Sequence, residues 1–242
     1  MESEPTLNRT SSDTREDYGG NMRVVIAGGH GQIGLRLERL LTQRNDVVAG
    51  LVRNPDHIAD VEATGSEAYL CDLETASVDE VAGHLVEVEA NAVVFAAGAG
   101  PGSGVARKDT VDRAAAVLLA DAAEKAEVRR YLMVSAIRAD EAPPPRVDPA
   151  YGAYLRAKAA ADKDLRSRDL DWTILRPGRL NNHPGTGLVR LGASVGYGEV
   201  PRDDVASVLV ALLDEPRTSG KTLELVSGGR PITSAIRSVV AS

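Results

Sequence analysis

Apolar residues in this chain fall into short continuous runs, separated by stretches whose hydrophobic positions repeat with a helical period. Residues 22–27 make the first run, with the length and Val/Ile content of a strand buried on both faces. Similar runs follow at 47–52, 68–71, 92–97, 131–135, 172–175 and 222–226. Between them the period changes. Ile33, Leu37, Leu40 and Leu41 recur at helical spacing behind the first run. Val111, Ala115, Leu118, Leu119 and Ala122 form the apolar stripe of one long helix predicted over about 105–126. Further helices are predicted over about 149–167 and 203–213, the latter capped by Asp203 or Asp204. Strands alternating with helices imply parallel βαβ units. The predicted fold class is therefore α/β: a three-layer, Rossmann-type doubly wound parallel sheet.

Polarity sets the boundaries. Residues 1–20 are polar and acidic up to the Gly19-Gly20 pair, which predicts a disordered tail. Residues 21–242 are expected to form one domain. Pro143-Pro144-Pro145 mark a loop, because successive prolines remove helix donors. The segment 179–202 is the only sizeable insertion; it is Gly-rich and is expected to act as a small substrate region, a flexible lid over a small pocket.

Composition narrows the partners. The net charge of -7 and an aromatic content of 3% argue against nucleic acid, which needs cationic surface and stacking platforms. No apolar run reaches the ~18 residues of a bilayer span, and no basic-then-apolar leader opens the chain, so the expectation is a cytoplasmic protein without a membrane partner. Cys71 is the sole cysteine, which excludes an intrachain disulfide. His30, His57, His84 and His183 lie far apart at no ligand spacing, so no metal site is expected. The Ala-rich helix from Val105 offers a face for a homodimer, although an intramolecular face fits equally well.

The sharpest local signal is Gly28-Gly29-His30-Gly31-Gln32-Ile33-Gly34, placed between the first strand and its helix. The first glycine of such a turn lets the chain leave the strand sharply. The second admits a diphosphate to the backbone, and the third lets the helix pack close to the sheet. Amides at the helix start then face the phosphates. After the second strand, where an NAD site carries an acid for the ribose 2′-hydroxyl, this chain has Leu51-Val52-Arg53. The guanidinium fork of Arg53 suits a 2′-phosphate, which favours NADP over NAD; the bland alternative is a solvated surface arginine. Arg36 is a weaker candidate for the same phosphate.

A second pattern is Tyr154-x-x-x-Lys158 in the helix behind a Ser135-bearing strand. Four residues advance a helix by about 6 Å and slightly over one turn, so phenol and ammonium share a face. A free tyrosine, with a pKa near ~10, is a poor base at neutral pH, and a nearby ammonium is expected to lower that value. Without a ligand the same spacing describes a packed tyrosine beside a snorkelling lysine. Tyr151 is a possible decoy, two turns from Lys158.

Together with Cys71-Asp72-Leu73, Phe95-Ala96-Ala97-Gly98 and Arg176-Pro177-Gly178, these motifs resemble the short-chain dehydrogenase/reductase superfamily. The resemblance is closest to its atypical NAD(P)H-binding branch, whose members are often described as NAD-dependent epimerase/dehydratases, and it spans residues 22 to about 232. It implies that Asp72, with Leu73 beside it, meets the adenine amino group. Ala96, Ala97 and Gly98 line the adenosine side. Ser135 bonds a substrate carbonyl or hydroxyl, and Tyr154 is the general acid/base. Lys158 holds the nicotinamide ribose, and Pro177 borders the nicotinamide. Asp112 stands where the superfamily commonly has a relay asparagine, which puts the usual relay in doubt. His183, early in the Gly-rich insertion, is a weak catalytic candidate.

Three functions follow as expectations. The first is an NADP-dependent oxidoreductase acting on a small carbonyl or hydroxyl substrate. The second is an epimerase or dehydratase that retains its dinucleotide. The third is a non-catalytic redox sensor similar to NmrA-like regulators, suggested by the small substrate region.

Overall fold

The computed structural model describes residues 21–100, 103–141 and 148–241; the expected tail at 1–20 and the triple proline lie outside them. The sheet is built around β1 (Arg23–Ala27), which pairs in parallel with β2 (Val47–Val52) on one side and β4 (Ala92–Phe95) on the other. β3 (Glu67–Leu70) extends the β2 side. β5 (Arg130–Val134), β6 (Asp171–Pro177) and β10 (Lys221–Ser227) extend the β4 side, all parallel. The antiparallel β8 (Leu188–Gly192) and β11 (Arg230–Pro231) finish that edge, giving the order β11-β8-β10-β6-β5-β4-β1-β2-β3.

Period-two burial explains the layers. Val24 and Ile26 face a core shared with helices α1 (Gly34–Gln43), α6 (Arg202–Leu213) and α7 (Ile232–Val240). Val25 and Ala27 point to the opposite core, shared with α3 (Val78–Glu87), α4 (105–125) and α5 (Pro149–Arg166). The short α2 (Ile58–Glu62) covers the β2–β3 edge. The result is the expected Rossmann-type doubly wound sheet, and among the described residues no helix is long and apolar enough to cross a membrane.

Three local expectations need correction. The helix over 105–126 is composite: α over Val105–Arg107, π over Lys108–Ala114 and α over Ala115–Lys125, together called α4. Widening the turn changes which side chains face inward, and it buries both Lys108 and Asp112. Ala115, Ala116, Ala120, Ala122 and Ala123 of α4 are buried within the chain. Asp203 and Asp204 do not cap α6; Pro201 precedes it with no side-chain cap. Instead Asp203 accepts from Gly185 N and Arg36 Nε, while Asp204 accepts from Thr186 N and Gly187 N. Finally, the insertion is not a free loop. β7 (Arg179–Asn181) pairs with β9 (Glu199–Pro201), β8 joins the main sheet, and the two aspartates hold residues 185–187.

The glycine-rich turn rests on an unusual support. The wholly buried Glu38 of α1 reaches beneath it, against the backbone of Gly29 and Gly50, with Thr64 Oγ1 3.4 Å from one oxygen. Burial pushes its carboxyl up from 4.5 to about 8. Between those values the folded state holds a proton that the unfolded chain has lost, so this group's contribution to stability declines as pH rises from about 4.5 and is gone above about 8. Glu38→Gln, a neutral mimic of the protonated acid, is expected to raise stability at pH 8 by at least ~1 kcal/mol, roughly 2–4 °C in Tm. At pH 5 the change should be small. Thermal melts at the two pH values check this, and an equal shift at both would refute it.

Candidate active site

The strand order reverses between β2 and β4 on either side of β1, which opens a crevice at their C-terminal ends. Gly28 leaves β1 at φ 86°, and a Cβ there would lie 2.7 Å from Ala97 Cα, so only glycine lets the turn sit on the end of β4. Gly34 starts α1 against the carbonyls of Gly28 and Gly29, which brings the helix onto the turn.

A cavity of about 890 Å³ runs from this turn to α5. Along its floor lie Gly28, His30, Gly31, Gln32 and Ile33 of the turn, then Ala96, Ala97 and Gly98 beyond β4. Arg53, Asp72 and Leu73 line one end; Asp112, Ser135, Tyr154 and Lys158 line the other. Two proposed cofactor residues do not reach it. Gly34 is packed behind the turn, and Pro177 is buried within β6, its carbonyl accepting from Ile137 N. Neither Arg36 nor His183 lines the cavity; Arg36 is spent on Asp203 and Gln32 O.

At the α5 end, Tyr154, Lys158 and Asp162 repeat at intervals of four residues on one helix face. The buried Asp162 takes two bonds from Arg176 of β6, at 2.8 and 2.6 Å, and Asp140 meets the same guanidinium at 2.8 Å. This lattice ties α5 to the sheet below the phenol. Lys158 Nζ donates to Val134 O at 3.1 Å and pairs with Asp112 Oδ1 at 3.3 Å. Ser135 Oγ is buried and committed to no hydrogen bond of good geometry, with the Asp162 carboxyl in its neighbourhood.

The tyrosine's proton affinity departs from expectation. Burial, then the Asp112 carboxylate, push the Tyr154 phenol well above the ordinary tyrosine range rather than below it. The reason is geometric: the Lys158 charge is matched by Asp112 before it reaches the phenol, and its Nζ is 5.9 Å from the ring centre. Tyr154 in this state is a proton donor.

These features fit a nicotinamide dinucleotide. A helix-start turn with close-packed glycines and a continuous crevice leading to Ser135, Tyr154 and Lys158 are what such a group needs. The sequence pattern of proteins described as NAD(P)H-binding matches residues 28–216. The chain belongs to this NAD(P)H-binding family. It is 37% identical over 217 residues to a Bacillus subtilis protein named uncharacterized sugar epimerase YhfK, covering 89% of this chain and 99% of that one. A solved structure from Bacillus halodurans, named "Putative NAD-dependent epimerase/dehydratase", superposes with a TM-score of 0.82 at 31% identity, over 90% of this chain and 100% of that one. The oxidoreductase ylbE of Lactococcus lactis superposes with a TM-score of 0.78 at 26% identity, over 91% and 98%. The family is of oxidoreductase and epimerase type, and the fold is that of atypical short-chain dehydrogenase/reductases.

Several residues of this NAD(P)H-binding site escaped the sequence reading. Glu74 joins the two walls at the Arg53 end: it accepts from Arg53 Nη1 at 3.1 Å, Arg107 Nη2 at 2.5 Å and Thr110 Oγ1 at 2.6 Å. His57 stacks on His30, ring centres 3.5 Å apart, and His30 Nε2 lies 2.8 Å from Asp60. Tyr151 lines the cavity and stacks on Tyr154. Lys108 also lines it, at the Tyr154 end. Of the chemistry-bearing groups outside the cavity, Glu80 and His84 of α3 lie within 4.8 Å of Cys71. Burial pushes that thiol up to about 11, so it is protonated in the metal-free chain.

If Asp112 both holds Lys158 and raises the phenol, Asp112→Asn lowers the pH at which Tyr154 ionises, by about one unit. Tyrosinate difference absorbance, with Tyr154→Phe to identify the component, reads the shift. An unmoved or raised titration contradicts the assignment.

Proposed function

We propose that this protein is an NADP-dependent oxidoreductase acting on a small carbonyl or hydroxyl substrate. The observation that carries the reading is the convergence of Ser135, Tyr154 and Lys158 on one end of the crevice that begins at the glycine-rich turn. A bound nicotinamide supplies hydride exchange with a substrate carbon. The residues of the chain do the rest. Ser135 Oγ, buried at the cavity wall with the Asp162 carboxyl beside it, donates to the substrate oxygen. The Tyr154 phenol, protonated because it is buried beside Asp112, delivers the proton that turns a carbonyl into a hydroxyl. Lys158 orients a ribose while Asp112 holds its charge in place. In the reductive direction the phenol enters in the protonated form it holds at rest.

NADP is preferred on the strength of Arg53, half exposed at the cavity rim. Its present partner Glu74 is shared with Arg107, so a 2′-phosphate competes with that carboxylate for two guanidinium groups. The narrow substrate region, bound up in β7, β8 and β9, suits a small substrate. A second reading, an epimerase that retains its dinucleotide, is supported by the name of the Bacillus subtilis relative. It would be marked by cofactor copurifying tightly, with no net NADPH consumption.

Two experiments test the proposal. NADPH oxidation is screened against carbonyl compounds, and Tyr154→Phe is expected to lower kcat at least ~100-fold with NADP affinity retained. Unchanged turnover would remove Tyr154 from the chemistry. In calorimetric titrations, Arg53→Glu should weaken NADP by ~10-fold or more while leaving NAD little affected. Equal losses for both dinucleotides would leave the 2′-phosphate without its assigned partner.

A further inference from the structure

Lys108 opens the π segment of α4, and its side chain is nine-tenths buried. Its Nζ donates to Gly100 O at 2.8 Å and stands 5.4 Å from the centre of the Tyr154 ring. No carboxylate pairs with it among the described residues. The nearby acids are engaged elsewhere. Asp109 holds Arg113 at 2.6 and 2.7 Å, Glu74 holds Arg53 and Arg107, Asp112 faces Lys158, and Asp148 caps α5 by accepting from Tyr151 N at 3.0 Å. The two lysines beside the phenol are thus unequal: one is charge-matched, while the other, largely buried at the cavity wall, has Gly100 O as its acceptor and the Tyr154 ring beside it.

An anion entering the cavity would give this lysine the counter-ion it lacks among the described residues. The net charge of -7 gives the protein no general attraction for anions, so selectivity for one must be local. We propose that Lys108 is a specificity-determining residue that binds a carboxylate on the substrate, a few bonds from the carbonyl or hydroxyl that meets Tyr154 and Ser135. This rests on the oxidoreductase reading above and narrows its substrate class to small oxo or hydroxy acids.

The test compares pyruvate, acetoacetate and levulinate with their methyl esters, using NADPH oxidation by the wild-type protein and by Lys108→Met, which keeps the stem and removes the charge. Wild type should prefer at least one acid over its ester in kcat/KM. Lys108→Met should collapse that preference ~100-fold, mainly through KM, and Lys108→Arg should restore part of it. Equal loss for acid and ester, or a loss of NADP affinity in Lys108→Met, overturns the proposal. Binding gives a readout that does not depend on turnover. Calorimetric titration of NADP-loaded protein with each acid should release heat with wild type for at least one, and at least ~10-fold weaker binding with Lys108→Met. If no compound turns over, the oxidoreductase reading fails while this titration still decides the anion site. Absence of binding to loaded wild type, or identical binding by the variant, refutes it.

Discussion

The close approach of Gly28 to the backbone of Ala97 is the contact on which the crevice depends. β1 is the one strand flanked by both halves of the sheet, and the chain must leave it sharply without blocking the end of β4. A side chain at Gly28 would overlap Ala97 and would also demand a left-handed backbone. With the turn seated there, α1 begins against the same loop, and the helix start and the β4 terminus face a common space. The reversal of strand order makes the crevice, and the glycines keep it open.

Polar groups are then brought to that space by two helices and by Ser135 at the end of β5. α5 contributes Tyr154 and Lys158, and the Asp162–Arg176 pair fixes the same helix face to β6. α4 contributes Lys108 and Asp112, one turn apart in its π segment. An α-helical course through this stretch would present a different set of side chains, since π geometry rotates every later residue relative to those before it. The electrostatic outcome is a division of labour. Burial, with the Asp112 carboxylate second, keeps the phenol protonated; Asp112 also pairs with Lys158, whereas Lys108 meets no carboxylate among the described residues. Two lysines at similar distances from one ring therefore sit in different surroundings.

How much of this could be read from the chain depended on the range of the interaction concerned. Parallel strands such as β1, β2, β4 and β5 are buried on both faces, so they appear as unbroken apolar runs. The glycine spacing has a local meaning once a strand precedes it and a helix follows. β7, β9 and β11 are two or three residues long and exist only through their partners, so no periodicity marks them. α3 was overlooked although Ser77 accepts from Glu80 N, a capping signal present in the sequence. The π segment left no trace, because hydrophobic spacing does not distinguish a single widened turn. Glu74 was invisible for a different reason: its partners stand 21, 33 and 36 residues away, and an acid after an Asp-Leu pair reads as solvated surface.

The insertion between β6 and α6 bears on what the site can hold. As a loose lid, residues 179–202 would have added a movable wall and room for a large substrate. Instead Asp203 and Asp204 spend their carboxylates on residues 185–187 rather than on capping their own helix, and β8 is stitched into the main sheet. Ordering this segment costs conformational entropy that the hydrogen bonds and sheet pairing must offset. What that order provides is a fixed boundary to the cavity, where Leu180 and Arg202 join the lining because their strand and helix are held. A bounded cavity with a few convergent polar groups on a rigid frame is the general form of sites that hold small molecules, and here the frame comes from segments that the sequence pattern alone leaves unmarked.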